Sequence, residues 1–281
     1  MSAKCSRRAE PNCARSVRPT RLQLPTTRTR LAGETGLILR VHQSNFFLTG
    51  FTDSPPNDAI AALARARRVP FVVDLGSGAM GPTEALGLAE HEPTPAETLR
   101  QGAELVCFSG DKLMGGPQAG IIAGRQRSIS ALKREPMFRA LRCDKMVFAA
   151  LEATVESHLR KATNELPVLQ LLSLPNERLE ARGRALLQQL QNLPGTLRLT
   201  KTKSEIGGGA LPRSRVPSVV LEIASSRIGP NEIAAALREN SPAVIGYVAQ
   251  QRFKLDLRTI FPEEDGIVAA ALRRCLTNPP D

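Results

Sequence analysis

An α/β fold built on a parallel sheet, followed by a smaller α+β domain, is what this sequence predicts. Two observations predict it. Short apolar runs alternate with an amphipathic, Ala-rich segment in the first half, and strands alternate with helices again beyond residue 195. A chain of 281 residues can hold one large domain and a smaller one.

Residues 36–42 (GLILRVH) read as a buried strand. Residues 57–68 read as a helix, with Ile60, Leu63 and Ala64 at helical spacing and Asp58 and Arg65 suited to its two ends. Residues 69–75 (VPFVVDL) form the next strand. Strand, short helix and strand make a βαβ unit, which implies a parallel sheet. A helix is expected over 95–103, capped by Thr94 and ending at Gly102, with strands at 105–109 and 119–124. In 144–161, Val147, Leu151, Val155 and Leu159 form an i+4 apolar stripe. In 176–193, five leucines line one face behind Asn176 as cap, and Pro194-Gly195 stops the helix. Strands near 196–201, 217–223, 243–249 and 252–258 and helices near 229–239 and 263–276 complete the smaller domain, joined through residues 204–215.

The composition is that of a soluble globular protein, 42% hydrophobic and 23% charged, and no apolar run approaches the about 20 residues that span a bilayer. Five scattered cysteines without C-x-x-C spacing suggest neither a disulfide framework nor a metal knuckle, so a reducing, cytoplasmic setting is expected. The net charge is +11, and residues 1–40 hold nine Lys/Arg against two Glu. This start has no helical or strand period and reads as a basic, disordered tail, able to attract polyanions such as RNA.

Three polar groups fall at the carboxyl ends of expected strands, where open α/β sheets bind ligands: His42, Asp74 and Lys112. Lys112 lies in FSGDKLMGGPQAG, between a strand and a glycine pair. A lysine and an acid on neighbouring strands suit pyridoxal phosphate, which needs an amine for its aldehyde and a carboxylate at its ring nitrogen. Ser109 could bond a phosphate oxygen, and glycines 110, 115 and 116 permit close backbone approach. The plain alternatives stay open: Asp74 opening a turn, Lys112 solvated, His42 structural. His91 and His158 read as structural, and no histidine spacing supports a metal site. Gly207-Gly-Gly209 lacks the lysine and helix of a phosphate loop and reads as linker. Arg139 and Arg142, three apart in LKREPMFRALRCDK, would share a helical face fit for an oxyanion, or form a solvated basic face.

FSGDKLMGGPQAGIIAG, VHQSNFFLTGFT, VVDLGSG and FRALRCDKMVFAALEAT, with IGGGALPRSRVPS and PAVIGYVAQQRFKLDLRTI, closely resemble bacterial selenocysteine synthases, the L-seryl-tRNA(Sec) selenium transferases. The resemblance runs from about Gly36 to the C-terminus. It implies pyridoxal-phosphate fold type I, the aminotransferase-like fold, with Lys112 as Schiff-base lysine, Asp111 assisting, Asp74 at the pyridine nitrogen, and Arg139 and Arg142 on the anionic selenium donor. It also implies conversion of seryl-tRNA(Sec) to selenocysteinyl-tRNA(Sec) with selenophosphate, through an aminoacrylyl intermediate, in a homo-oligomer that binds neither DNA nor membrane.

The resemblance divides the chain into a basic, non-homologous segment at 1–35, a partial cofactor domain at 36–194 that is incomplete at its N-terminus, and a small C-terminal domain at 195–281. The family's tRNA-binding N-terminal domain and part of its phosphate cup have no counterpart here. Residues 1–30 look like translated non-coding sequence or a mis-called start. The chain is then expected to be an N-terminally truncated transferase, poorly soluble and impaired alone. The alternatives are a paralogous pyridoxal-phosphate lyase acting on a small amino acid, and a non-catalytic truncated subunit.

Overall fold

The computed structural model of the protein describes residues 35–42, 54–207, 210–211 and 214–278. The basic segment expected over 1–35 lies outside them apart from its last residue, as do residues 208 and 209 of the glycine run.

The first sheet has four strands in the order β1 (Ile38–Val41), β2 (Phe71–Gly76), β3 (Leu105–Ser109) and β4 (Gly120–Gly124). β1, β2 and β3 are parallel, with Ile38 opposite Phe71 and Val73 opposite Val106. Two helices make the crossovers, α1 (Asn57–Arg67) and α2 (Pro95–Arg100). α1 carries Asp58 in its first turn and Arg65 and Arg67 in its last, each charge complementing the helix dipole. The Thr94 hydroxyl accepts from the Glu97 amide at 3.1 Å and caps α2. The fourth strand, whose direction the sequence left open, runs antiparallel to β3. Only residues 110–119 connect the two, fewer than the dozen or more that a parallel crossover needs.

Strand alternation gives this sheet two unlike faces. Phe71, Val73, Val106 and Phe108 pack against Ile60, Ala61 and Ala64 of α1 in one core. The opposite face carries Leu39, Val41 and Ile122, all exposed, beside the half-buried Asp74, Cys107 and Ser109.

Three helices follow: α3 (Gln126–Lys133), α4 (Pro136–Ala140) and α5 (Lys145–Leu159). The Asp144 carboxylate caps α5 by accepting from the Met146 and Val147 amides. The apolar stripe on α5 is only partly buried. Leu151 packs on the first core, but Val155 and Leu159 are 40% and 78% exposed, while Thr154 and Ser157 are buried. The reason is close approach: a side chain on Gly116 would lie 3.2 Å from the Thr154 hydroxyl, so only small residues fit where α5 passes behind the loop after β3. A second correction concerns Arg142. α4 ends at Ala140, because the chain must turn to place Asp144 as the next cap, so Arg139 and Arg142 do not share a helical face.

Beyond α6 (Pro167–Ser173) and α7 (Asn176–Gln189) lies the second sheet. Pro175, not Asn176, takes the capping position of α7. The strands are β5 (Thr196–Glu205), β6 (Arg215–Ala224), β7 (Tyr247–Ala249) and β8 (Arg252–Asp256), antiparallel in the order β5-β6-β8-β7, with α8 (Pro230–Glu239) and α9 (Asp265–Thr277). Leu179 and Leu186 of α7 pack with Leu221, Ile223, Phe253, Leu255, Ile233 and Leu272 in its core. Residues 204–215, expected to join two domains, instead hold the ends of β5 and β6 and the connection between them, with Glu205 still paired to Arg215.

Candidate active site

Backbone hydrogen bonds tie together the three strand ends singled out in the sequence. The His42 amide donates to the Asp74 carbonyl at 2.7 Å, and the Leu113 amide to the Ser77 carbonyl at 3.0 Å. Asp74 therefore joins the residue just past β1, and the turn after it joins the loop that bears Lys112. Gly78 makes this possible. Its φ is +69°, and a Cβ there would collide with the Ser109 carbonyl oxygen.

The Lys112 loop closes on itself. The Gly110 amide donates to the Ala119 carbonyl at 2.9 Å, Gly116 to Gly110 at 2.8 Å and Gly115 to Lys112 at 2.9 Å. His158 of α5 holds the loop from behind: its Nε2 lies 2.8 Å from the Met114 carbonyl, which can only accept, so Nε2 carries the proton.

A cleft of about 350 Å³ opens beside this loop, lined by Asp111, Lys112 and Gly115, by Pro167 and Val168 of α6, and by Ile206 after β5. Asp74, Ser109 and His42 do not line it. Asp74 stands opposite Cys107 on the open sheet face, and burial, then the Asp74 charge, push the Cys107 thiol up. Ser109 sits on that same face, two residues along. His42 Nε2 is 3.3 Å from a carboxylate oxygen of Glu92, close enough for an ion pair but without hydrogen-bond geometry. Glu92, only 3% exposed, was not singled out in the sequence, and no local pattern marks it. Arg139 and Arg142 are both exposed and do not line the Lys112 cleft. Two buried hydroxyls, Ser77 and Thr98, have no hydrogen-bond partner among the described residues. Nor do the described residues contain a cluster of His, Cys, Asp and Glu able to hold a metal ion.

A sequence model of the family described as L-seryl-tRNA selenium transferase matches residues 20–261. The chain belongs to that family. Among curated proteins it is similar to the L-seryl-tRNA(Sec) selenium transferase of Carboxydothermus hydrogenoformans, 41% identical over 82% of this chain and 50% of the relative. It is also similar to that of Geobacter sulfurreducens, 38% identical over 88% of this chain and 54% of the relative. The chain thus spans about half the length of the curated relatives it matches. Among solved structures, a D-glucosaminate-6-phosphate ammonia-lyase superposes with a TM-score of 0.60 at 19% identity, covering 93% of this chain and 63% of the lyase. The transferase-family chain therefore has the fold type I architecture of pyridoxal-phosphate enzymes. Among its described residues no helix is long and apolar enough to cross a membrane.

Proposed function

We propose that this chain carries the lysine-bearing part of a pyridoxal-phosphate-dependent L-seryl-tRNA(Sec) selenium transferase, with seryl-tRNA(Sec) and selenophosphate as substrates, working as a cytoplasmic homo-oligomer. The observation that carries the proposal is the position of Lys112, on a closed glycine-rich loop that is hydrogen-bonded to the turn following Asp74. Residues 36–194 would form part of the cofactor domain and 195–281 the small domain.

The residue types present suit the cofactor, with Lys112 at the cleft and Asp74 and Ser109 on the open sheet face beside it. Lys112 offers the amine, and Asp74 a half-buried carboxylate on the neighbouring strand. Ser77, whose buried hydroxyl has no partner among the described residues, lies between them in sequence and accepts from the Leu113 amide at its carbonyl. Gly78 and Gly110 bring backbone close, since a Cβ on Gly110 would lie 2.7 Å from the Pro117 carbonyl oxygen. When bound, pyridoxal phosphate would withdraw the electrons released at the seryl α-carbon.

Lys112 would hold the cofactor's aldehyde carbon. Once displaced by the seryl amine, its Nζ would take the α-proton. Asp74 would keep a proton on the ring nitrogen. Asp111, next to Lys112 at the cleft, would assist it, and Ser109 would bond the phosphate, with His42 beside the cofactor. Arg139 and Arg142 would bind the selenium donor's phosphate as two separate exposed cations.

The test is reconstitution with cofactor, borohydride reduction and mapping of the labelled peptide. The label is expected on Lys112, and a label on another lysine overturns the assignment. Asp74→Asn should leave the fold intact and weaken cofactor absorbance and turnover.

A second reading, a subunit that is silent until completed by a partner polypeptide, is favoured by one observation. The sheet leaves Leu39 and Val41 of parallel β1, and Ile122 of antiparallel β4, exposed on one face, although parallel strands are normally covered on both faces. Turnover by the purified chain alone would exclude that reading.

A further inference from the structure

The Lys112 cleft is walled by α6, a helix whose C-terminal end is fastened to the C-terminal sheet. Arg258, at the end of β8, is 5% exposed. Among the described residues its guanidinium has no hydrogen-bonded carboxylate. Nε and Nη2 donate to the Pro217 carbonyl on β6 at 3.1 and 2.6 Å. Nη1 donates to the carbonyls of Leu171, Leu172 and Leu174 at 2.8, 3.2 and 3.0 Å. These carbonyls belong to the last turn of α6 and the residue just beyond it, where helix backbone groups lack partners and a cation is favoured. Arg258 is itself held in register, because its amide donates to Asp256, which also accepts from Ser204 and Ser218.

The other face of α6 meets the lysine loop. Pro167 and Val168 line the cleft. A Cβ on Gly115 would stand 3.1 Å from Val168 Cγ1, and Leu172 shares a buried cluster with Leu113 and Val216. Contacts therefore run without a gap from the Arg258 guanidinium through α6 to both neighbours of the cleft, Leu113 and Gly115.

We propose that Arg258 is a positioning residue for Lys112: by capping α6 and tying it to β6, it makes the C-terminal sheet set the shape of the lysine cleft. A planar guanidinium with five donors can reach both β6 and α6, whereas an ammonium acts as a point. The inference rests on the reading of Lys112 as the reacting lysine, but its test needs no cofactor, so failure of cofactor binding and failure of the coupling are told apart.

Two measurements on the cofactor-free chain decide it. In the unmutated protein, native-state hydrogen exchange in rising urea is expected to show residues 110–116, 167–173 and 253–258 losing protection at a common midpoint. Separate midpoints overturn the proposal, whether or not any variant folds. In Arg258→Lys, amide exchange in 110–116 and 167–173 should rise about tenfold, with β2 unchanged. The rate at which acetic anhydride labels Lys112, relative to the exposed Lys133, should change several-fold. If 167–173 loosens while the Lys112 loop and its labelling rate stay at the parent values, Arg258 is only a helix cap and the proposal fails.

Discussion

The imidazole Nε2 of His158 donates to the carbonyl of Met114 at 2.8 Å, joining a helix to the loop two residues past Lys112 across 44 positions of sequence. Met114 is buried, so that carbonyl has little access to water. His158→Phe would remove the donor and should cost about 1–3 kcal/mol, the desolvation cost of an unpaired buried group. His158→Gln, which retains a donor, should recover part of the loss. Urea unfolding of both variants checks this, and equal stability of His158→Phe and the parent would show that the bond contributes nothing.

Gly78→Ala should be among the most disruptive small substitutions in the chain. The position has φ +69°, and the new methyl would press on the Ser109 carbonyl. A left-handed non-glycine residue costs about 1–3 kcal/mol before the clash is counted. The substitution would also push apart the turn after Asp74 and the end of β3. A fall in thermal midpoint together with lost cofactor affinity is expected. Loss of stability with affinity retained would place the cofactor elsewhere.

His91 gives the loop before α2 a defined pH response. Its ring nitrogens each lie 2.9 Å from a carboxylate, Nδ1 from Glu84 and Nε2 from Glu97. The hydrogen bond to Glu84, joined by that to Glu97, raises the His91 pKa above its ordinary 6.5 against a smaller opposing effect of burial. The stabilisation is therefore complete below 6.5 and lost as pH rises through the folded value. The Glu84 carboxyl moves the other way. The hydrogen bond from its own backbone amide, then His91, holds it below 4.5, so its share is lost as pH falls through the folded value. His91→Gln should lower the thermal midpoint more at pH 5.5 than at pH 8.5. An equal decrement at both values would remove the ion pairs from the account.

Arg139 and Arg142 are exposed and lie on different local structures, α4 and the turn that follows it. If each bonds the selenium donor, replacing either with Ala should weaken selenophosphate binding about tenfold or more, the worth of one charge-assisted hydrogen bond. Calorimetry at fixed ionic strength measures it, and labelling of Lys112 should be unaffected. Parent-like binding by both variants would leave a solvated basic face.

Much of the fold was legible because its signals are local. Val-Val-Asp-Leu before Gly-Ser-Gly reads as a strand running into a turn, and the strands and helices that the sequence predicts recur with bounds moved by a few residues. The turn after Asp74 and the Lys112 loop could be picked out for the same reason, since strand ends and glycines announce themselves within a few residues. The stripe on α5 is apolar as read, but its burial was not legible. Leu159 fits a helical period, but a period says only that a face is apolar, not that anything covers it, and the close approach of Gly116 gives the buried face to Thr154 and Ser157. Arg142 misled because a three-residue spacing assumes a continuous helix, and the cap at Asp144 interrupts it.

By itself the sequence determined the kind of most elements (though not the helices α3 and α6), the strand ends that could carry chemistry, and the family to which the chain belongs. Tertiary structure alone decided that β4 runs antiparallel, that Glu92 is buried beside His42, that His158 holds the Met114 carbonyl, and that Arg258 caps α6. Secondary-structure periods repeat every two or about four residues and are written locally. The Arg258 bonds to α6 span 84 to 87 positions, and a guanidinium finds those carbonyls only when two separate sheets have packed around one helix.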